Sequence, residues 1–414
     1  MLKLISFADS QAGNVRKKNE DAYLSDPRAG LFIVCDGVGG SAQGDVASHK
    51  AIEVIQDTFA ENRSVLQKYQ KEKNHKTRNA LTYLVEHSIR TANRVIHELA
   101  KTNLDGKVMA TTCDVLLLLD DFAFLGHVGD GRIYLIRSEK INCLTEDHSA
   151  LNEMVKQGFS KEEALNSPYA QTITRAVGSQ PYLQVDSLAL ELMEGDSFLI
   201  CSDGLHHYMK LDTCLEKLKT STVESFTKWA VKDALTQGGK DNLTLISVQV
   251  EKIQQDEQHV HVNAAQKQQV FSNIPLFKYL NHLEVTKLLS LTTTKEFEVG
   301  KTMIKEGDPG KEIFVLLSGQ VSIYKGKHKI TERGKGEIIG EMAILDNSPR
   351  SASVQVSQKL TALVLPQNDL FNLMKKEPVL AVKLMWAFSQ SLNQRLRTTS
   401  DQLVSAKNSL DQIK

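Results

Sequence analysis

The chain has 414 residues, enough for two domains. Fifty basic residues balance fifty acidic ones and 41% of residues are hydrophobic, an ordinary globular composition with no net field to draw nucleic acid or an anionic membrane. The longest apolar run, near 115–119, is far too short to span a bilayer, and the opening MLKLISFADSQAG is too short and too polar for a signal peptide.

In chain order, a charged loop comes first, VRKKNEDAYL, in which Arg16, Glu20 and Asp21 stand out. Residues 31–35 read as a buried strand that stops abruptly at Asp36-Gly37, where glycines let backbone approach a ligand closely. From 45 to 99 the pattern turns helical. Ile52, Val54, Ile55 and Phe59 mark one apolar face, and Leu81, Leu84, Val85, Ile89, Ala92, Val95, Ile96 and Leu99 mark another. The charged stretch 61–79 between them reads as a solvated connection.

Residues 108–144 read as consecutive antiparallel strands with turns at Asp120-Asp121 and Asp130-Gly131. His148 reads as a helix-cap or structural histidine, and Arg175 as an ion-pair partner. A strand at 197–201 ends at Asp203-Gly204, a helical stretch covers 211–236, and Asp241 precedes the strand 243–250. Asp36, Asp130, Asp203 and Asp241 thus sit at strand ends. They converge only if those strands lie side by side, and an acidic cluster of that kind suits hard divalent cations. Cys35, Cys113, Cys143, Cys201 and Cys214 form no CxxC pair and read as core residues in a reducing, cytoplasmic compartment.

Residues 251–269 are polar and read as a linker; their His259/His261 pair has no third ligand nearby and is not expected to hold a metal. From Phe271 a helical bundle precedes short strands with glycine turns, the pattern of a β-roll or jelly roll. In the tail, Leu392, Leu396, Thr399, Leu403, Ala406, Leu410 and Ile413 alternate at spacings of four and three, which fits either a parallel homodimer or a lone surface helix. The domains expected are 1–250, a linker 251–269, 270–390, and a terminal helix 391–414.

Seven motifs in order, RKKNEDAYL, VCDGVGG, GHVGDGRIY, LTEDHS, ITRAVGS, GDSFLICSDGL and GGKDNLT, resemble the metal-dependent protein Ser/Thr phosphatases of the phosphatase-2C type. The resemblance implies an α+β chain whose first domain is an α-β-β-α sandwich, two antiparallel sheets flanked by helices. It implies hydrolysis of phosphoserine and phosphothreonine in phosphorylated proteins by water activated on two Mn2+ or Mg2+ ions. Asp36, Asp203 and Asp241, with the Gly37 carbonyl, would hold the metals. Asp130 would help hold a third, weaker ion as in bacterial relatives, and Glu20 and Asp21 would orient metal-bound water. Arg16 would hold the substrate phosphate, which suits a planar guanidinium fork. Four positions depart from the family pattern: Val38 replaces a common histidine, Ala110 a glycine, Gly131 a serine, and Ser167-Pro168 a His-Pro. The first makes the site resemble the bacterial branch.

Further on, IIGEMAILDNSPRSASV resembles the phosphate-binding cassette of cyclic nucleotide-binding domains. That resemblance implies that Glu341 accepts the ribose 2′-hydroxyl, that Arg350 pairs with the cyclic phosphate, and that amides of Gly340, Met342 and Ala343 add donors. Ser351 suits either cAMP or cGMP, and Trp386 and Phe388 are candidate lids over the base, or core residues. The combination implies a phosphatase regulated by cyclic nucleotide. The competing expectation is a nucleotide sensor or docking protein whose phosphatase fold is a scaffold.

Overall fold

A computed structural model of the chain describes residues 2–38, 43–102, 109–253, 263–342 and 348–411. It falls into two compact units, Met1–Val260 and His261–Lys414.

In the first unit two five-stranded antiparallel sheets stack face to face. One has the order β1 (Lys3–Gln11), β12 (Leu243–Lys252), β11 (Ser197–Cys201), β8 (Arg132–Arg137), β9 (Lys140–Cys143). The other runs β10 (Asp186–Glu191), β7 (Phe122–Val128), β6 (Cys113–Leu119), β3 (Leu31–Cys35), β2 (Ala22–Asp26). A short pair, β4 (Gly37–Val38) with β5 (Ala110–Thr111), extends the end of β3. Alternation along β3 decides the layering. Leu31, Ile33 and Cys35 join a core with Ile55, Leu81 and Ile89 from the helices Gly44–Glu61 and His75–Thr102, while Phe32 and Val34 face the other way and are also fully buried. The helices Leu211–Thr220 and Val223–Thr236 cover the opposite sheet through Cys214, Phe226 and Val231. This is the α-β-β-α sandwich.

Two expectations change here. Residues 61–79 are not a solvated connection, because Arg63–Lys71 is a helix. Val65, Leu66 and Tyr69 give it an apolar edge, and Tyr69 is buried with its hydroxyl 2.9 Å from Asp121 Oδ1. Nor is 108–144 one run of neighbouring strands. The β6–β7 hairpin turns at Asp120, whose φ is +52°, but the next turn carries the chain from β7 in one sheet to β8 in the other.

In the second unit β13 (Thr293–Phe297), β14 (Thr302–Ile304), β15 (Glu312–Lys325), β16 (His328–Gly334), β17 (Ile338–Ile339) and β18 (Ser353–Pro366) form a β-roll. Along β15, Phe314, Leu316 and Val321 face the roll interior with Val356 and Leu360, while Ile313, Val315 and Leu317 pack on the helices. The stretch expected as linker is structured at both described ends. Residues 251–252 finish β12, and Ala264–Ser272 is a helix started by an Asn263/Gln266 capping box that buries Val270 and Phe271. His259 and His261 lie outside the described residues. Phe388 is a core residue of the helix Pro378–Asp411 rather than a lid, and Trp386 on the same helix is exposed.

Candidate active site

Strand register gathers the carboxylates. Ala22 lies opposite Cys35, so Asp21 enters β2 beside the point where Asp36 leaves β3. Cys201 lies opposite both Leu245 and Arg132, which brings Asp203, Asp241 and Asp130 to the same end of the other sheet. There Arg16, Lys17, Glu20, Asp36, Gly37, Asp203 and Asp241 line one cleft of about 330 Å³. Asp130 is not in that lining, but its charge reaches Asp36.

Each group is fixed by neighbours distant in sequence. The Asp36 carbonyl accepts from the Thr112 N–H and the Thr111 hydroxyl, both at 2.8 Å, and the Asp36 N–H donates to Thr112 Oγ1 at 2.9 Å. Asn242 holds the arginine loop. Its Oδ1 accepts from the Glu20 N–H at 2.9 Å and its amide donates to the carbonyls of Ala12 and Lys18, each at 3.0 Å. Asp21 is buried beneath the cleft, where its Oδ2 accepts from the hydroxyls of Thr244 at 2.6 Å and Ser202 at 2.9 Å. Gly37 admits no side chain, since a Cβ there would lie 2.3 Å from the Gly44 carbonyl oxygen. Thr111 and Thr112 were noted in the sequence only as the rest of the family's Gly-Thr-Thr, here Ala110-Thr111-Thr112, and Ser202, Asn242 and Thr244 were not singled out. Only Asn242, directly after Asp241, carried a local signal.

The electrostatics are those of crowded anions. Burial, then the charges of Asp21, Asp203 and Asp130 and a hydrogen bond with Asp203, push the Asp36 carboxyl well above the usual range. Burial outweighs two hydroxyl donors to raise Asp21 to about 6, and burial with the Asp203 charge raises Asp130 to about 7. Asp21 Oδ1 is buried with no hydrogen-bond partner among the described residues. Hard oxygen donors that repel one another, one of them orphaned, fit divalent cations. Among the described residues no three such side chains enclose a point as they stand, so the cleft is lined rather than caged.

Behind the cleft, His148 is structural but not the helix cap. Ser149 caps the helix Ala150–Lys156, while His148 holds Gly129 twice, its N–H donating to the Gly129 carbonyl at 2.7 Å and its Nδ1 accepting from the Gly129 N–H at 3.0 Å. Burial lowers the imidazole to about 4, leaving it neutral, with Nε2 3.2 Å from Asp186 Oδ2. Arg175 pairs with the same Asp186 at 2.8 Å, as the sequence led one to expect. Asp114, fully buried, sits 2.7 Å from His127 Nδ1, and its other oxygen lies 2.0 Å from where a Cβ on Gly131 would stand.

In the second unit the Arg350 guanidinium donates to the main-chain carbonyls of Gly340 at 3.1 Å and Glu312 at 2.7 Å. Gly340 has φ +82°, and a Cβ on it would lie 2.3 Å from Arg350 Nη1. Burial lowers the Arg350 guanidinium overall, against the charges of Glu312 and then Glu341, which adjoins Gly340 in sequence. Met342 and Ser351 are exposed. Ala343 lies outside the described residues.

A two-sheet sandwich carrying a carboxylate-lined cleft with an arginine at its edge defines a class of metal-dependent phosphatase. Comparison with known proteins agrees. A family model described as Protein phosphatase 2C matches residues 14–243, more than half the chain, and one described as Cyclic nucleotide-binding domain matches 294–377. The chain is 30% identical over 242 residues to the serine/threonine phosphatase stp of Listeria innocua, covering 57% of this chain and 92% of that protein. Protein phosphatase PhpP of Streptococcus pneumoniae is 30% identical over 245 residues, 58% of this chain and 94% of its own. Among solved structures, the S. agalactiae serine/threonine phosphatase matches with a TM-score of 0.53 and 30% identity, over 60% of this chain and all of that one. The Mycobacterium tuberculosis phosphatase PstP/Ppp matches with 0.53 and 28%, over 61% and 100%. The chain belongs to the protein phosphatase 2C family. It is a protein Ser/Thr phosphatase, of a family that uses divalent metal ions, followed by a cyclic nucleotide-binding domain.

Proposed function

We propose that the cleft hydrolyses phosphoserine and phosphothreonine in protein substrates on two Mn2+ or Mg2+ ions held by Asp36, Asp203, Asp241 and the Gly37 carbonyl, with Glu20 and Asp21 behind them. Asp130 would help hold a third, weaker ion. The observation that carries this reading is the convergence of Arg16, Glu20, Asp36, Asp203 and Asp241 on one cleft. When bound, such ions supply a nucleophilic hydroxide near neutral pH and offset phosphate charge. The chain's own groups do the rest. Arg16 orients the phosphate through charge-assisted donors, and the Thr111/Thr112 grip keeps Asp36 from moving with its load. Val38 offers no proton, so the proton for the leaving serine or threonine oxygen comes from water in the cleft rather than from this side chain. Hydrolysis of p-nitrophenyl phosphate and of a phosphothreonine peptide tests this with Mn2+, with Mg2+ and with chelator; turnover unaffected by chelation overturns it.

We read the second unit as a regulatory site for cAMP or cGMP. Support comes from Glu341 and Arg350 at the cassette positions, with Arg350 already aimed at the Gly340 turn. Nucleotide changes hydrolysis only by binding one state of the chain better than another, and a near-complete switch needs about a 10⁴-fold difference, so a partial change is the expectation. The assay above, repeated with each nucleotide, tests it.

The terminal helix supports a homodimer. Every described side chain from Leu392 onward is exposed, including Leu392 (41%), Leu396 (67%) and Leu403 (60%), an apolar row left facing water. Those leucines form one seam a second copy would cover. The side chains of Ala406 and Leu410, and Ile413, lie outside the described residues. Light scattering of the whole chain against Leu396→Glu/Leu403→Glu tests the dimer. All five cysteines are free, which supports a cytoplasmic setting, and no described helix is long and apolar enough to cross a membrane.

A further inference from the structure

The turn that crosses between the sheets is held from two sides. His148 grips Gly129 through both backbone groups. On the other side, the Asp130 carbonyl lies 2.9 Å from Nε2 of His206. His206 is buried and ends the one-turn helix Asp203–His206 that begins with Asp203. One short rigid element therefore carries a carboxylate of the cleft and, three residues later, a donor to the neighbouring turn.

We propose that His206 is a positioning residue, a strut that fixes the Asp130 carboxylate relative to Asp203. The inference rests on the metal reading of the cleft given above. The need for a strut is electrostatic. Asp130 and Asp203 repel, and because β7 and β8 belong to different sheets the crossover turn between them is not closed by a hairpin ladder. An N–H donated to the Asp130 carbonyl restrains the backbone without adding charge beside the carboxylates. It leaves the Asp130 side chain free to ligate. Gly131 follows with no side chain of its own to brace the turn, so the restraint falls to histidines on either side. Groups that orient ligands in this way typically alter metal affinity or activity by about 10–100-fold when removed.

The test is titration of the whole chain with Mn2+ alone, followed by electron paramagnetic resonance of the free ion, with thermal melting as the fold control. His206→Leu removes the donor, whereas His206→Gln keeps an N–H at similar reach. The expected result is that His206→Leu weakens the loosest class of Mn2+ sites by roughly 10–100-fold, and raises the Mn2+ needed for half-maximal hydrolysis by a similar factor, while His206→Gln restores both. The KM for p-nitrophenyl phosphate at saturating Mn2+ should stay unchanged, since Arg16 is untouched. If His206→Leu does not melt cooperatively, His206→Met, a flexible donor-free side chain, takes its place. Wild-type Mn2+ binding in the donor-free variant overturns the strut, and so does equal loss in the glutamine variant, which would mean packing alone matters. Asp36→Asn separates the two readings. If it too binds Mn2+ and hydrolyses as wild type, the metal reading has failed; if it alone is impaired, only the strut has.

Discussion

Arg16 Nη2 lies 2.7 Å from Asp241 Oδ2, so the cation proposed above for the substrate phosphate rests on a carboxylate proposed for a metal. The pair is roughly half exposed, and its own contribution to stability is therefore small. Its importance is orientation, because the guanidinium fork is held at the mouth of the cleft before any phosphate arrives.

Arg16→Ala should lower kcat/KM for a phosphopeptide by roughly 10–100-fold, the scale of a charge-assisted hydrogen bond of about 1.5–3 kcal/mol. Arg16→Lys should recover only part, because an ammonium cannot form two parallel bonds. Steady-state kinetics at saturating Mn2+ check both, and wild-type values for Arg16→Ala would remove its role.

Asp36→Ala and Asp203→Ala should each cost about 10³-fold or more in turnover, comparable to losing a principal transition-state contact. Nucleotide binding by the second unit should be unchanged in both, as calorimetry would record.

In metal-free protein the acidic cluster should cost stability as pH rises, opposed by the buried neutral His148, which adds stability as pH climbs from about 4 towards its ordinary 6.5. Asp21 and Asp130 are raised to about 6 and about 7 from an ordinary value of 3.8, so the stability they contribute is present below that ordinary value and is lost as pH climbs through the raised ones. With chelator present, Asp130→Asn should raise the melting temperature relative to the unaltered chain more at about pH 8 than at about pH 5, because the charge it removes is present in the folded state only above about 7. Mn2+ should reverse it by neutralising the cluster. An Asp130→Asn effect in chelator that is the same at both pH values contradicts the prediction.

Arg350→Ala should weaken cyclic nucleotide binding by roughly 10–100-fold, and Glu341→Ala should weaken it through the ribose. Gly340→Ala should mimic Arg350→Ala, because the new Cβ would stand 2.3 Å from Nη1 at a backbone angle that favours glycine. Fluorescence displacement of a labelled nucleotide measures all three.

The acidic cleft was legible from apolar strands ending in Asp-Gly and the roll from short strands with glycine turns, both local signals, whereas the sandwich was legible only through the seven-motif resemblance. What was not legible is what depends on distant partners. Nothing in LGHVGDGRIY distinguishes a hairpin from a chain that leaves one sheet for another, since both use the same glycine-rich turn. The helix Arg63–Lys71 was hidden because charge dominates its composition and its apolar edge is only three residues wide. Thr112 and Thr244 look like any strand threonine until Asp36 and Asp21 are found against them. Arg350 was recognised, yet its resting partners, two carbonyl oxygens, have no signature in the cassette.

Asp114 and Gly131 constrain how this sequence can change over time. With the aspartate in place, any side chain at 131 meets a carboxylate oxygen at 2.0 Å; with a serine at 131, the aspartate has no room. Neither position reaches the serine-bearing pattern of related phosphatases through a neutral single step unless the buried Asp114 side chain swings away from His127. Descent between the two forms runs through a paired replacement, or through an intermediate with a small residue at both positions and a hole where the carboxylate stood. Relatives that keep a bulky carboxylate at the first position should therefore keep glycine at the second, a covariation that an alignment of close homologues would register as a forbidden combination.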